Sequence, residues 1–246
     1  MTRIDPRLLL QGYASGIFPM ADSRDAEELF WVEPRQRAIL PLDRFHVSRS
    51  LRKTLLSGRF EVTIDCAFAE VIAACAQRDE TWINVEIEAA MLALHGSGFA
   101  HSIEVWSSDD CGRRLAGGLY GVTLGRAFFG ESMFSQVRDS SKIALAWLVA
   151  RLRAGNFALL DCQFMTSHLE SLGAVNVSRT DYVALLAAAL GGGEAAAAGG
   201  GSAGEPEAAV PPPDLAALDR LLELTGAAGA AGPAGYVIAQ LLGQTS

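Results

Sequence analysis

Asp161-Cys162-Gln163 sets a carboxylate two positions from a carboxamide. The surrounding segment 158–164 reads as a strand, in which side chains alternate between faces. Asp161 and Gln163 are therefore expected on one face, and Leu160, Cys162 and Phe164 on the other. A carboxylate and an amide side by side in a cleft could orient an amine or draw off its proton; the same two residues also make an ordinary polar contact on a sheet edge. A second carboxylate, Glu131, interrupts the apolar and aromatic run 128–134. Among aromatic rings a carboxylate costs free energy unless a cation or donors meet it, so Glu131 asks for a partner, either a substrate or an arginine such as Arg126 or Arg138. Trp31 and Trp82 sit in polar connectors rather than in apolar helical stripes. An indole so placed either stacks on a nucleobase or anchors its loop on the core.

The elements that must position these groups are legible in outline. Asp5-Pro6 predicts a helix over 6–15 that stops at Gly16, and 48–56 predicts a second whose Arg49, Arg52 and Lys53 face outward. A strand is expected at 61–64, then a helix over 66–77 capped by Asp65 and another over 85–95 capped by Asn84. The stretch 101–134 alternates like a meander of antiparallel strands, with a turn at Gly125. Asp139 or Ser140 should cap a helix over 141–153; the 158–164 strand, a short helix, a strand and a last helix then finish near Leu190. This order predicts an α+β fold built on a mixed sheet.

With 246 residues, half of them hydrophobic, the chain can bury a large core, and two lobes are expected, a small one over 1–60 and a larger one over 61–190. From 191 to 246 the composition turns to Gly, Ala and Pro around one short amphipathic segment, which predicts a largely disordered tail. A net charge of -8 argues against a polyanion ligand until its distribution is followed. Between Arg35 and Arg59 seven basic residues face Asp43 alone, a local +6, while the tail holds most of the acid excess. Arg35, Arg37, Arg44, Arg49, Arg52 and Lys53 are thus candidates to meet a nucleic-acid backbone, or simply a solvated face. Cys66, Cys75, Cys111 and Cys162 form no CxxC pair and have no histidine at zinc-finger distance, so reduced thiols and no metal are expected. No secretory signal and no long apolar run is visible, which predicts a soluble, cytoplasmic protein with no membrane partner.

Read together, GIFPM (16–20), FWVEPRQRAILPL (30–42), FHVSRSLRKTL (45–55), TWIN (81–84), GGLYGVTLGRAFFGESMFS (117–135), SSKIAL (140–145), LLDCQ (159–163) and HLESLGA (168–174) strongly resemble the leucyl/phenylalanyl-tRNA protein transferase family. The resemblance implies a large lobe similar in fold to the GCN5-related acetyltransferases beside a small N-terminal α/β lobe. It implies an enzyme that, without a cofactor, transfers Leu, Phe or Met from aminoacyl-tRNA (Leu-tRNA, Phe-tRNA) to the N-terminus of proteins beginning with Lys or Arg, marking them for degradation. Carried over position by position, the catalytic residues fall on Asp161, Gln163 and Glu131, and the adenosine-stacking rings on Trp31 and Trp82. The aminoacyl side-chain pocket falls on Leu119, Phe128, Met133, Leu145, Leu148 and Leu160. The expected mechanism has Asp161 polarise Gln163, whose carbonyl meets the attacking amine; a monomer is expected. Two other readings are an acetyl-CoA-dependent N-acetyltransferase and a non-catalytic RNA-binding protein. The first needs a glycine-bearing pyrophosphate turn, and QVRDSS at 136–141 has no glycine.

Overall fold

The computed structural model describes residues 4–78, 80–109, 112–191, 211–227 and 231–243; Cys111 lies outside them. Its frame is a seven-stranded sheet in the order β4-β5-β6-β7-β8-β3-β9, made by β3 (Gln36–Ile39), β4 (Glu61–Ile64), β5 (Ala100–Asp109), β6 (Gly112–Leu124), β7 (Ala127–Ser135), β8 (Leu159–Gln163) and β9 (Val175–Ser178). Neighbours are antiparallel except β7 and β8, which run parallel. That parallel pair needs a crossover, supplied by helix α5 (Ser140–Ala154). A separate two-stranded ribbon joins β1 (Phe18–Met20) to β2 (Phe30–Val32). The fold is thus mixed α+β, as the order of elements predicts.

Alternation along the long strands divides the interior into two apolar layers. Leu119, Phe128 and Leu160 point to one face with α2 (Arg49–Leu56) and α5. Tyr120, Phe129 and Leu159 point to the other, with α1 (Pro6–Ala14), α3 (Phe68–Ala76), α4 (Val85–Gly96) and α7 (Arg179–Ala189). Asn84 caps α4 as expected, its Oδ1 accepting the Ile87 N–H at 2.9 Å. Asp65 does not cap α3. Its backbone is left-handed, which turns the carboxylate toward β5, where it accepts from the Ser102 N–H and meets His101; Glu104 takes the Ala67 N–H instead. Asp139, also left-handed, makes no side-chain cap on α5.

Two features bear on the expected organisation. The limit at residue 60 coincides with no break, because β3 is an inner strand of the large sheet and Ala38, Ile39 and Leu40 are core residues. The tail is not a solvated appendage over its described part. Helices α8 (Ala217–Leu224) and α9 (Ala231–Gly243) dock on α5 and α2, burying Leu218, Leu222, Ile238 and Leu242 in the same layer as Leu51 and Leu55. The physical reason is packing a composition scan does not see. Gly235 lets α9 lie directly on the Leu55 carbonyl, Arg151 holds Asp219 at 2.6 Å, and the Arg153 guanidinium donates to the Leu241 carbonyl. Among the described residues no helix is long and apolar enough to cross a membrane.

Candidate active site

Past the Phe129–Asp161 pair, strands β7 and β8 each carry an irregularity, and together these build a site. In β7 the register with β6 jumps from Gly130 opposite Gly121 to Ser132 opposite Tyr120, leaving Glu131 as the extra residue of a β-bulge. A bulge re-aims one side chain and inverts the parity beyond it. In β8 the register with β3 jumps from Asp161 opposite Ile39 to Gln163 opposite Ala38, so Cys162 is the extra residue there, and Gln163 takes a left-handed backbone with φ 62°. Period-two alternation therefore fails at the end of β8. Asp161 stays under the sheet while Gln163 swings to the bulge of β7, where its Nε2 donates to Glu131 Oε1 at 2.7 Å.

Beneath this link lies a closed ionic layer. Arg37 and Asp161 are 1 % and 0 % exposed and pair at 2.6 Å. Asp161 also accepts from the Tyr182 hydroxyl at 2.8 Å and from the Gln163 main-chain N–H at 2.8 Å. The guanidinium lies between the rings of Phe18 and Tyr182, 4.6 and 4.7 Å from their centres, and donates to the Gly16 carbonyl. Asp161 thus fixes the backbone of Gln163 rather than its amide group. Burial without compensation is costly for a charge, and here both charges find partners.

Glu131 is different. Tyr13 of α1 donates to Oε1 at 2.9 Å, Gln163 donates to the same oxygen, and Oε2 is buried with no partner. Burial pushes its pKa up to about 8, assisted by the charge of Asp161 and opposed by the hydrogen bond from Tyr13. At neutral pH the resting carboxyl is mostly protonated. With Nε2 of Gln163 committed to Glu131, the amide oxygen is left as an acceptor.

Both groups line a cavity of about 390 Å³. Leu119, Met133, Leu145, Leu148 and Leu160 give it an apolar lining, and Trp82, Arg78, Phe164 and His168 also stand on its wall. The Tyr120 hydroxyl and His168 Nε2, also on this wall, are buried without partners. Three polar atoms left unpaired around one cavity mark where a polar ligand would complete the bonding. Burial, then the charge of Asp161, pushes up the pKa of the Cys162 thiol on the same wall, which favours its protonated form.

Comparison with known proteins decides the family. The profile described as "Leucyl/phenylalanyl-tRNA protein transferase" matches residues 39–187, and that of its N-terminal domain matches residues 2–35. The leucyl/phenylalanyl-tRNA--protein transferase of Rhizorhabdus wittichii is 58% identical over the whole length of both chains. The chain belongs to the leucyl/phenylalanyl-tRNA protein transferase family. The Zymomonas mobilis member is 59% identical over 74% of this chain and 68% of its own, and one from Cereibacter sphaeroides is 56% identical over 73% and 82%. Among solved structures, FemX aligns at a TM-score of 0.49 and 12% identity, covering 70% of this chain and 66% of its own. As a member of the transferase family the protein is an aminoacyltransferase.

Set against this membership, the expected residues separate into groups. Glu131, Gln163 and Trp82 line one cavity with five of the six expected pocket residues; Phe128 does not, being 1 % exposed and packed against Gly121. Phe128 shares the face of Leu119, Met133 and Leu160, but it lies farther along β7, opposite Thr123, where it fills the core short of the cavity. Asp161 is one layer below the cavity, which corrects the expectation that it shares the cleft with Gln163. Trp31 packs over Gly12 of α1 and is not on the cavity wall. Arg37 is removed from the candidate backbone contacts, since a buried guanidinium held by Asp161 cannot reach a phosphate, whereas Arg35, Arg44, Arg49, Arg52 and Lys53 are exposed. Sequence reasoning missed Tyr13, Tyr182 and Tyr120. Each sits in an apolar stripe of a helix or strand, so its ring reads as core and its hydroxyl carries no signal of its own.

Proposed function

We propose that this transferase moves leucine or phenylalanine, and methionine as well, from aminoacyl-tRNA to the N-terminal amine of proteins that begin with Lys or Arg, producing a degradation signal, and that it acts as a cytoplasmic monomer. The sheet, with its single parallel pair and helices on both faces, supports a large lobe of the GCN5-related acetyltransferase kind. One observation carries the functional reading: a mostly apolar cavity is lined by a hydrogen-bonded Glu131–Gln163 pair whose second carboxyl oxygen, Glu131 Oε2, is buried without a partner.

An aminoacyl ester is already activated, so the enzyme needs no nucleophile of its own and gains most from holding two reactants together. Leu119, Met133, Leu145, Leu148 and Leu160 receive an apolar side chain unbranched at Cβ. A pocket of this kind separates side chains by only about 1–3 kcal/mol per methylene, which suits tolerance of Leu, Phe and Met, while β-branched residues fail on shape. Trp82 stacks on the terminal adenosine, and Trp31 supports α1, which carries Tyr13 to Glu131. The exposed Arg35, Arg44, Arg49, Arg52 and Lys53 meet phosphates farther along the tRNA.

The attacking amine, with a reference pKa of about 8, must lose one proton as the C–N bond forms, and the departing ribose oxygen must gain one. The Gln163 amide oxygen accepts an N–H of the amine and sets its approach. As the cationic acceptor enters, Glu131 releases its resting proton to water; Oε2 then takes one proton from the attacking amine and passes it to the departing ribose oxygen. Asp161 is a positioning residue, holding Gln163 through its backbone. The test is direct: a peptide beginning with Lys or Arg is incubated with the protein and Leu-tRNA, and mass spectrometry looks for a gain of one leucine. A peptide left unmodified, with the tRNA shown to be charged, would overturn the proposal.

A further inference from the structure

The cavity does not end at its polar wall. Arg78, Met133 and His168 line it and also line a more open groove of about 420 Å³ that continues past Gln77, Ser135 and Ser141. Among the described residues no carboxylate lines this groove. Arg78 is exposed and donates from one terminal nitrogen to the Met133 carbonyl, which sets the direction of a fork that carries five donors in all. His168 presents a buried Nε2 without a partner. Lys142 is close enough to act on the His168 imidazole, which burial, then this charge, holds below its usual pKa. The carboxylate of Asp139 nearby is met by Lys142 at 3.7 Å and Arg138 at 3.8 Å.

We infer that this groove carries the phosphodiester chain of the donor just before its terminal adenosine, with Arg78 meeting a phosphate and His168 Nε2 donating a hydrogen bond beside it. Trp82, four residues after Arg78 on the same connector, lines the same cavity, and the inference places the 5′ side of a nucleoside stacked there toward Arg78. Charge sets the direction of the two substrates. An acceptor with a Lys or Arg first residue is repelled by a groove bearing Arg78 and flanked by Lys142, whereas a polyanion is drawn in. The inference rests on the proposed function, because it requires a nucleic-acid donor.

Two donors separate the possibilities: Leu-tRNA, and the leucyl ester of adenosine, which has no phosphodiester. Arg78→Gln is expected to lower kcat/KM with Leu-tRNA about 10-fold, the loss of one charge-assisted hydrogen bond. It should flatten the slope of log kcat/KM against log salt by about 0.7, one phosphate on a single strand, and cost far less with leucyl-adenosine. Arg78→Lys should recover part of the loss. Equal losses with both donors, no loss with Leu-tRNA, or a defect confined to the KM of the acceptor peptide would each overturn the inference while leaving the proposed function standing. Wild-type protein inactive with both donors would overturn the parent reading, and this one with it.

Discussion

Asp161 and Glu131 stand on neighbouring parallel strands and occupy opposite circumstances. Asp161 has its oxygens filled by Arg37, Tyr182 and the Gln163 main chain, in a layer with no access to the cavity. Glu131 concentrates two donors on one oxygen and leaves the other buried and unmet, facing a cavity that also holds an unpartnered tyrosine and histidine. A satisfied buried network makes a rigid support; a partly satisfied one is unstable unless a ligand completes it. Under the proposed function, the first carboxylate holds the site and the second works in it.

Substitutions can break that contrast, starting with the deepest layer. Arg37→Ala leaves the Asp161 charge buried and alone, and the free energy of unfolding should fall by about 3–5 kcal/mol, measured by urea titration. A loss below about 1 kcal/mol would mean the pair does not support the fold. Gln163→Ala should do the reverse, lowering single-turnover transfer by at least about 100-fold while shifting the urea midpoint little, since its backbone bond to Asp161 remains. If stability fell as far as activity, Gln163 would belong with the support.

The finest test is pH. A carboxyl raised from 4.5 to about 8 by burial keeps a proton in the folded state that the unfolded state has already released. Between those values the folded state binds more protons, so stability falls as pH rises from 4.5 toward 8, by about 1.4 kcal/mol for each pH unit crossed, and is level beyond. Glu131→Gln removes this contribution. Denaturation of the two proteins at about pH 6 and about pH 9, which straddle the raised value, should show the variant losing less stability between them. Parallel losses would place the carboxyl's titration outside this window.

How much of this was written in the sequence depends on the kind of signal each residue leaves. Element types followed from periodicity and caps: Asn84, Ser48 and the Asp5-Pro6 start all mark helices that exist. Glu131 and Gln163 were legible as polar residues in apolar strands. Their mutual contact was not, because it depends on two bulges, and an extra residue in a ladder is defined only by the strand opposite. The same limit misplaced Asp161, for which strict alternation gave the wrong depth, while Phe128 has the right face but stands too far along its strand to reach the cavity. Arg37 reads as part of a basic cluster because charge counting is one-dimensional. Only pairing β3 beside β8 brings it to Asp161. The docked tail is hidden because Gly and Ala signal disorder by composition, yet permit close helix contact when a facing surface is available, as Gly235 does against Leu55.

That last contact bears on how the protein is handled at the bench. The matched family span stops at residue 187, which makes it a natural place to trim an expression clone. Such a clone would strip α8 and α9 from α5 and α2, uncovering an oily trough beside Leu51, Leu55 and α5 and leaving the Arg151 side chain without Asp219. Its first symptom would be precipitation, long before any defect in chemistry could be measured.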